Sequence, residues 1–224
     1  MVAWREWFLI AVALLMVLSL LWAWRNDFGT TFVTVSTLVC VAILAVPAFF
    51  EWRWQHNESR YTSAASVVGG KKLQVRCQRL FETMVDIDGY AGHVAYSEDG
   101  TISNVANLDY QVCQDMKVWP SVSPAAATPE QVDALHVLVH EAEHVAGVLN
   151  EAQADCYAIQ HTVPVAKKLG LSAVQANVVA ARYYLQMYPH MPAGYRDQTR
   201  CVRGGEWDLN LTGFAWPSTT AATG

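Results

Sequence analysis

Two charge-free stretches near the start of the chain restrict its architecture more than any other feature. Residues 7–24 and residues 30–50 contain no Asp, Glu, Lys or Arg. As helices they would measure roughly 27 and 31 Å, enough to cross a hydrocarbon core of about 30 Å. Trp4, Trp7, Trp22, Trp24, Trp52 and Trp54 stand at their ends, where amphipathic rings favour the headgroup layer. Between the runs, Arg25, Asn26, Asp27, Phe28 and Gly29 suit a tight turn. A cleaved signal peptide followed by one anchor is the competing arrangement. Against it, the first run is long for a signal core and no small-x-small cleavage site follows it. The expectation is a two-helix transmembrane hairpin over residues 1–54, and so an integral membrane protein in contact with the lipid bilayer.

The 224 residues leave room for one further domain. Hydrophobic residues make up 53% of the chain and charged ones 16%, an imbalance that fits a membrane protein. A net charge of −5 gives no basic footprint, so nucleic acid is excluded as a partner. Two signals conflict over the side on which the rest of the chain lies. Arg5, Arg53 and Arg60 flank the outer ends of the hairpin against Arg25 in its turn, which favours a cytoplasmic domain. Four cysteines beyond the hairpin, Cys77, Cys113, Cys156 and Cys201, form the even set expected of two disulfides in an oxidising compartment. Three connectivities are open, and Cys77–Cys113 with Cys156–Cys201 is the one favoured. The balance leans extracytoplasmic.

After a polar linker over residues 55–70, residues 73–84 carry helical periodicity through Leu73, Val75, Leu80, Phe81 and Met84. Residues 92–96 and 101–105 flank an Asp99-Gly100 pair, the signature of a β-hairpin. A short helix is expected over residues 108–118. Thr128, Pro129 and Gln131 then announce a helix as cap, first-turn proline and capping-box partner. Gly147 is placed to end it in a left-handed turn. Asn150 can cap a second helix, from Glu151 to about His161, before Pro164 interrupts. Residues 172–188 read as a third helix, and residues 217–224 as a flexible tail.

The first of these helices contains His140-Glu141-Ala142-Glu143-His144, an HExxH pattern. Residues four apart share a helix face, so both imidazoles can reach one ion, and Glu141 can meet a metal-bound water. A catalytic zinc needs a third protein ligand and an open fourth position. Glu151 is the best candidate. On one straight helix it would lie about 10 Å further along the axis, but a reversal at Gly147 can fold it back over the imidazoles. Asp155, one turn on, can orient a ligating histidine from behind. None of the cysteines shows CxxC spacing, and a closed structural site would need four protein ligands. The open set therefore points to Zn2+ in a hydrolytic role.

HExxH followed by Asn150, Glu151 and Asp155 resembles the gluzincin zinc peptidases, in which the glutamate of an NExxxD element is the third ligand and its aspartate supports a histidine. The likeness covers about residues 135–159. Six residues separate His144 from Glu151, fewer than in thermolysin-like members. Gly147 is similar to the glycine of the metzincin pattern, but Asn150 stands where that family has its ligand. The run Glu151, Ala152, Ala154, Asp155, Cys156, Tyr157 also resembles small bacterial membrane or secreted proteins with a compact HExxH domain, which implies a bacterial plasma membrane. In those proteins a Tyr-Arg…Cys segment recurs, here Tyr195, Arg196 and Cys201, and this supports the Cys156–Cys201 pairing by analogy. The fold implied is α+β, a mainly helical zincin-like domain over residues 71–216 with a small β-hairpin.

The function these readings imply is hydrolysis of peptide bonds in a peptide or protein substrate. His140, His144 and Glu151 would hold Zn2+, and Glu141 would act as general base. Tyr183, Tyr184, Tyr188, His190 and Tyr195 are candidates for a donor to the developing oxyanion. His136 reads first as a core histidine and second as a support for the site. The resemblance also implies that the strand over residues 101–105 pairs with extended substrate. The alternative is a membrane-anchored metal-binding or assembly module on the same fold, without catalysis.

Overall fold

The computed structural model describes residues 2–25, 29–69, 72–80, 82, 90–97 and 99–217. It divides into two compact units, residues 1–56 and residues 57–224. In the first, α1 spans Val2–Arg25 and α2 begins at Thr30 and runs to Ala65. The helix over Thr34–Val68 is long and apolar enough to cross a membrane, with a window of mean hydropathy 2.0 of which none is buried inside the protein. Leu38, Phe50 and Trp52 are all more than half exposed, a pattern that water would penalise and lipid would not. The turn expected at Asn26, Asp27 and Phe28 lies outside the described residues.

The second unit begins inside α2. Residues 55–65, expected as a linker, continue the helix, and Ser66–Val68 add a single 3-10 turn. The polar residues that suggested a linker fasten this segment to the domain. Glu58 accepts from the Cys77 backbone N–H at 2.9 Å and Thr62 Oγ1 from that of Val75 at 2.8 Å. Arg60 donates to the carbonyls of Trp119 and Leu169. Tyr61, Ala64 and Ala65 form the apolar side of the same turns and are fully buried.

A second correction follows from the same contacts. Residues 74–77, expected within a helix, form strand β1, Gln74–Cys77. Its outward N–H groups are those satisfied by Glu58 and Thr62, and its other edge pairs in parallel with β3, Ile102–Leu108. Val75 and Cys77 are buried and Gln74 and Arg76 exposed. That period of two was overridden in the sequence by the longer apolar spacing downstream, where Phe81 and residues 83–89 lie outside the described residues. Strand β2, Gly92–Tyr96, pairs antiparallel with β3 and completes the expected hairpin. The sheet order is β1-β3-β2, so β2 is an edge strand among the described residues.

Helix α3, Tyr110–Asp115, is capped by Asp109 and followed by a 3-10 turn over Met116–Val118. Helix α4, Pro129–Ala146, starts on the Thr128–Gln131 capping box and ends at Gly147, whose φ of +108° suits glycine alone without strain. Val145 packs with Val94 and Ala106 under the sheet. Helix α5, Glu151–Lys168, is capped by Asn150 and passes through Pro164 rather than stopping before it. The missing proline N–H forfeits one helical bond. Burial of Val163, Val165 and Ala166 on the same turns outweighs that loss. Helix α6, Ala173–Arg182, opens on a Ser172–Gln175 capping box and gives way to a wider turn over Tyr183–Met187.

Two disulfides close the domain, Cys77–Cys113 and Cys156–Cys201. Cys156 and Cys201 are both fully buried, and their bridge ties the segment carrying Tyr195 to α5. It closes a loop of sequence separation 45, for which chain entropy gives about 4 kcal/mol. Replacing both by alanine is expected to lower the unfolding free energy of the second unit by that order, read from denaturant titration in detergent by near-UV circular dichroism.

Candidate metal centre

Helix α4 carries His136, His140 and His144 at successive intervals of four, and all three are buried. Its C-terminal turn closes through Gly147 N–H to the His144 carbonyl at 2.9 Å and Val148 N–H to that of Glu143 at 3.0 Å. That reversal sets α5 back across α4 and carries Glu151 onto the two imidazoles. The Glu151 Oε2 atom lies 3.1 Å from His140 Nε2 and 3.2 Å from His144 Nε2, and the two nitrogens are 3.0 Å apart.

Hydrogen positions follow from the other ring nitrogens. The Val148 carbonyl can only accept, so His144 Nδ1, 2.6 Å away, carries the proton. His144 Nε2 therefore presents a lone pair. His140 Nδ1 faces Asp155 Oδ1 at 3.4 Å, a long contact of the same sense. His140 Nε2, His144 Nε2 and a carboxylate oxygen of Glu151 thus meet at one point, in a set that a cation can bridge. Two ligands of a tetrahedral ion at 2.0–2.1 Å stand about 3.3 Å apart, close to the three separations observed. This buried group can hold a metal ion.

The charges around the site favour positive charge on it, as a proton on His140 or as a bound ion. Burial opposes charge on the His140 ring, but Asp155, Glu151 and Glu141 outweigh it and raise its pKa to about 10. A bond to His140 holds the Glu151 carboxyl below the ordinary range, with the charges of both histidines adding to the effect against burial. Burial would raise Asp155, yet His136 and His140 keep it low. Glu141 behaves differently. Burial pushes it up to about 7, Glu151 adds to the rise, and His140 only partly offsets it.

Glu141 lies beneath the edge strand. A Cβ at Gly92 would fall 2.8 Å from both Glu141 Cγ and Oε1, so only glycine lets β2 approach so closely. The Oε2 atom of Glu141 is buried without a hydrogen-bond partner. A cavity of about 580 Å³ opens over this group, lined by His140, His144, Glu141 and Glu151 together with residues of β2 and the segment around Tyr195. Strand β3, expected to meet substrate, is paired on both sides, and the strand that borders the cavity is β2.

The structure also sorts the residues whose roles the sequence left open. Asp155 is closest to His136, whose Nε2 is 2.8 Å from Oδ1. His136 is stacked on Tyr183 at 3.5 Å between centroids, so it belongs to the support of the centre and is more than an ordinary core histidine. The Tyr183 hydroxyl points to Asp155 at 3.4 Å. Tyr184 donates to the Cys201 carbonyl, and the Tyr188 hydroxyl accepts from Asp197 N–H. Tyr195 lines the cavity, its ring centroid 6.0 Å from that of His140. His161, without partner spacing in the sequence, bonds Glu143 at 2.5 Å. Gly92, Tyr96 and Asp133 reach the cavity without having been singled out. Only Asp133, two turns before His140 on the same helix face, left a signal that could have been read. No family model, curated protein or solved structure matches this chain.

Proposed function

We propose that the chain is a membrane-anchored zinc peptidase of gluzincin type. The observation that carries this reading is the convergence of His140 Nε2, His144 Nε2 and Glu151 Oε2 within 3.2 Å, with the buried Glu141 carboxyl beside them on one cavity. Zn2+ suits a set of two imidazoles and a carboxylate, and when bound it supplies a Lewis acid that lowers the pKa of water.

The chain's own residues do the rest. Asp155 orients His140 through Nδ1 and the Val148 carbonyl orients His144, so that an ion displacing the His140 proton would meet Nε2 of both rings. Glu141 is raised to about 7, which suits a base that accepts a proton from water and returns it to the leaving amine near neutral pH. Tyr195 is the tyrosine of the expected set whose hydroxyl is left for substrate, and it serves as donor to the oxyanion. The outer edge of β2 offers backbone groups to an extended peptide.

Both α1 and α2 are read as bilayer spans, forming a hairpin. The two disulfides support an extracytoplasmic domain. Arg60, counted among the basic flanks, is committed to the carbonyls of Trp119 and Leu169, which weakens the opposing charge argument.

The test is metal analysis joined to turnover. The purified full chain is expected to hold one zinc, to cleave an unstructured protein substrate, to lose cleavage on chelation and to recover it with added zinc. Zinc-free protein that cleaves equally well would sink the reading.

A further inference from the structure

The cavity extends beyond the metal ligands along α4. Asp133 lines it two helical turns before His140, about 10 Å along the axis and on the same face. Asp133 is half-buried, and the charged groups around it are His136, Asp155 and Glu130. Among the described residues no lysine or arginine lines this cavity, whereas Asp133, Glu141, Glu151 and Asp155 all do. A single divalent ion leaves that balance negative.

A second observation points to a ligand. Glu141 Oε2, Asp155 Oδ2 and His136 Nδ1 are buried without hydrogen-bond partners, on side chains that are 5%, 1% and 3% exposed as residues. His136 Nε2 lies 2.8 Å from the Asp155 carboxylate and donates to it. Glu141 and Asp155, which line the cavity, therefore each keep a buried carboxylate oxygen without a donor. An apolar substrate side chain would leave them unmatched, and unmatched buried polar atoms oppose binding. A donor-rich cation would satisfy them.

We propose that this part of the cavity is a subsite for a lysine or arginine side chain of the substrate, with Asp133 as its counter-charge. The proposal rests on the peptidase reading and names its substrate class. Lysine and arginine carry their charge on the longest stems a substrate offers, as a counter-ion to an Asp133 set two turns from His140 needs. The apolar length of such a stem would lie along Val137 and Met191, which share the lining.

The zinc-loaded full chain in detergent is given paired peptides that differ only by lysine or norleucine beside the scissile bond. The ratio of kcat/KM, lysine over norleucine, is expected to exceed tenfold and to fall about 10- to 100-fold in Asp133→Asn, with equal zinc in both proteins. A ratio near one in the parent chain, or one that Asp133→Asn leaves in place, overturns the subsite while leaving the peptidase intact. The same peptides are titrated calorimetrically onto zinc-loaded Glu141→Gln, with and without Asp133→Asn. Tighter binding of the lysine peptide that depends on Asp133 supports the subsite even where the parent chain cleaves neither peptide, and in that case it is the peptidase reading that fails. A second divalent ion lost in Asp133→Asn assigns the acceptors to a metal and overturns the proposal.

Discussion

Glu141→Gln is expected to retain zinc and to lower peptide cleavage by about 10²- to 10⁴-fold, the range of a lost general base. The amide keeps the shape of the side chain beneath Gly92, where a Cβ would already collide, so the close approach of β2 is preserved. It also leaves His140, His144 and Glu151 untouched. What disappears is the proton acceptor, whose burial sets its pKa near neutrality. Zinc content by plasma emission and cleavage by mass spectrometry read the two effects separately. Unchanged turnover would remove Glu141 from the chemistry. Loss of zinc together with turnover would make it a structural support. A parent chain that binds zinc and cleaves nothing would favour the non-catalytic module.

Glu151→Ala is expected to release the metal, whereas Asn150→Ala is expected to retain it at some loss of stability. Glu151 provides one of three converging atoms, at 3.1 and 3.2 Å from the two imidazoles, and two histidines alone do not complete a site. Asn150 instead accepts from the Gln153 backbone N–H at 2.9 Å, as the cap of α5. Losing such a cap typically costs about 1 kcal/mol. Competition with a chromophoric chelator measures both variants on one scale. Zinc lost in Asn150→Ala and kept in Glu151→Ala would reverse the ligand assignment.

The site was legible wherever its parts are local. The spacing of His140 and His144, the cap at Thr128, the break at Gly147 and the cap at Asn150 each act over fewer than five residues, and each can be read from side-chain chemistry alone. The same holds for the hairpin around Asp99 and Gly100, whereas the cysteine framework, which joins residues 36 and 45 apart, was legible from its even count. The errors fell where a distant partner decides. Residues 74–77 are a strand because Glu58, Thr62 and β3 take their backbone groups. Residues 55–65 stay helical because Tyr61 and Arg60 find partners far along the chain. Pro164 is tolerated because its neighbours are buried.

From its sequence alone this chain was committed to apolar N-terminal helices, a capped helix bearing two histidines on one face, and an acidic residue after a reversal. Those features follow from helical period, proline and glycine stereochemistry, and long runs free of charged residues. The tertiary structure decided which strand borders the cavity, that Gly92 roofs Glu141, and that His136 backs Asp155. Close approach between segments 19 to 49 residues apart depends on packing, and no local pattern encodes it.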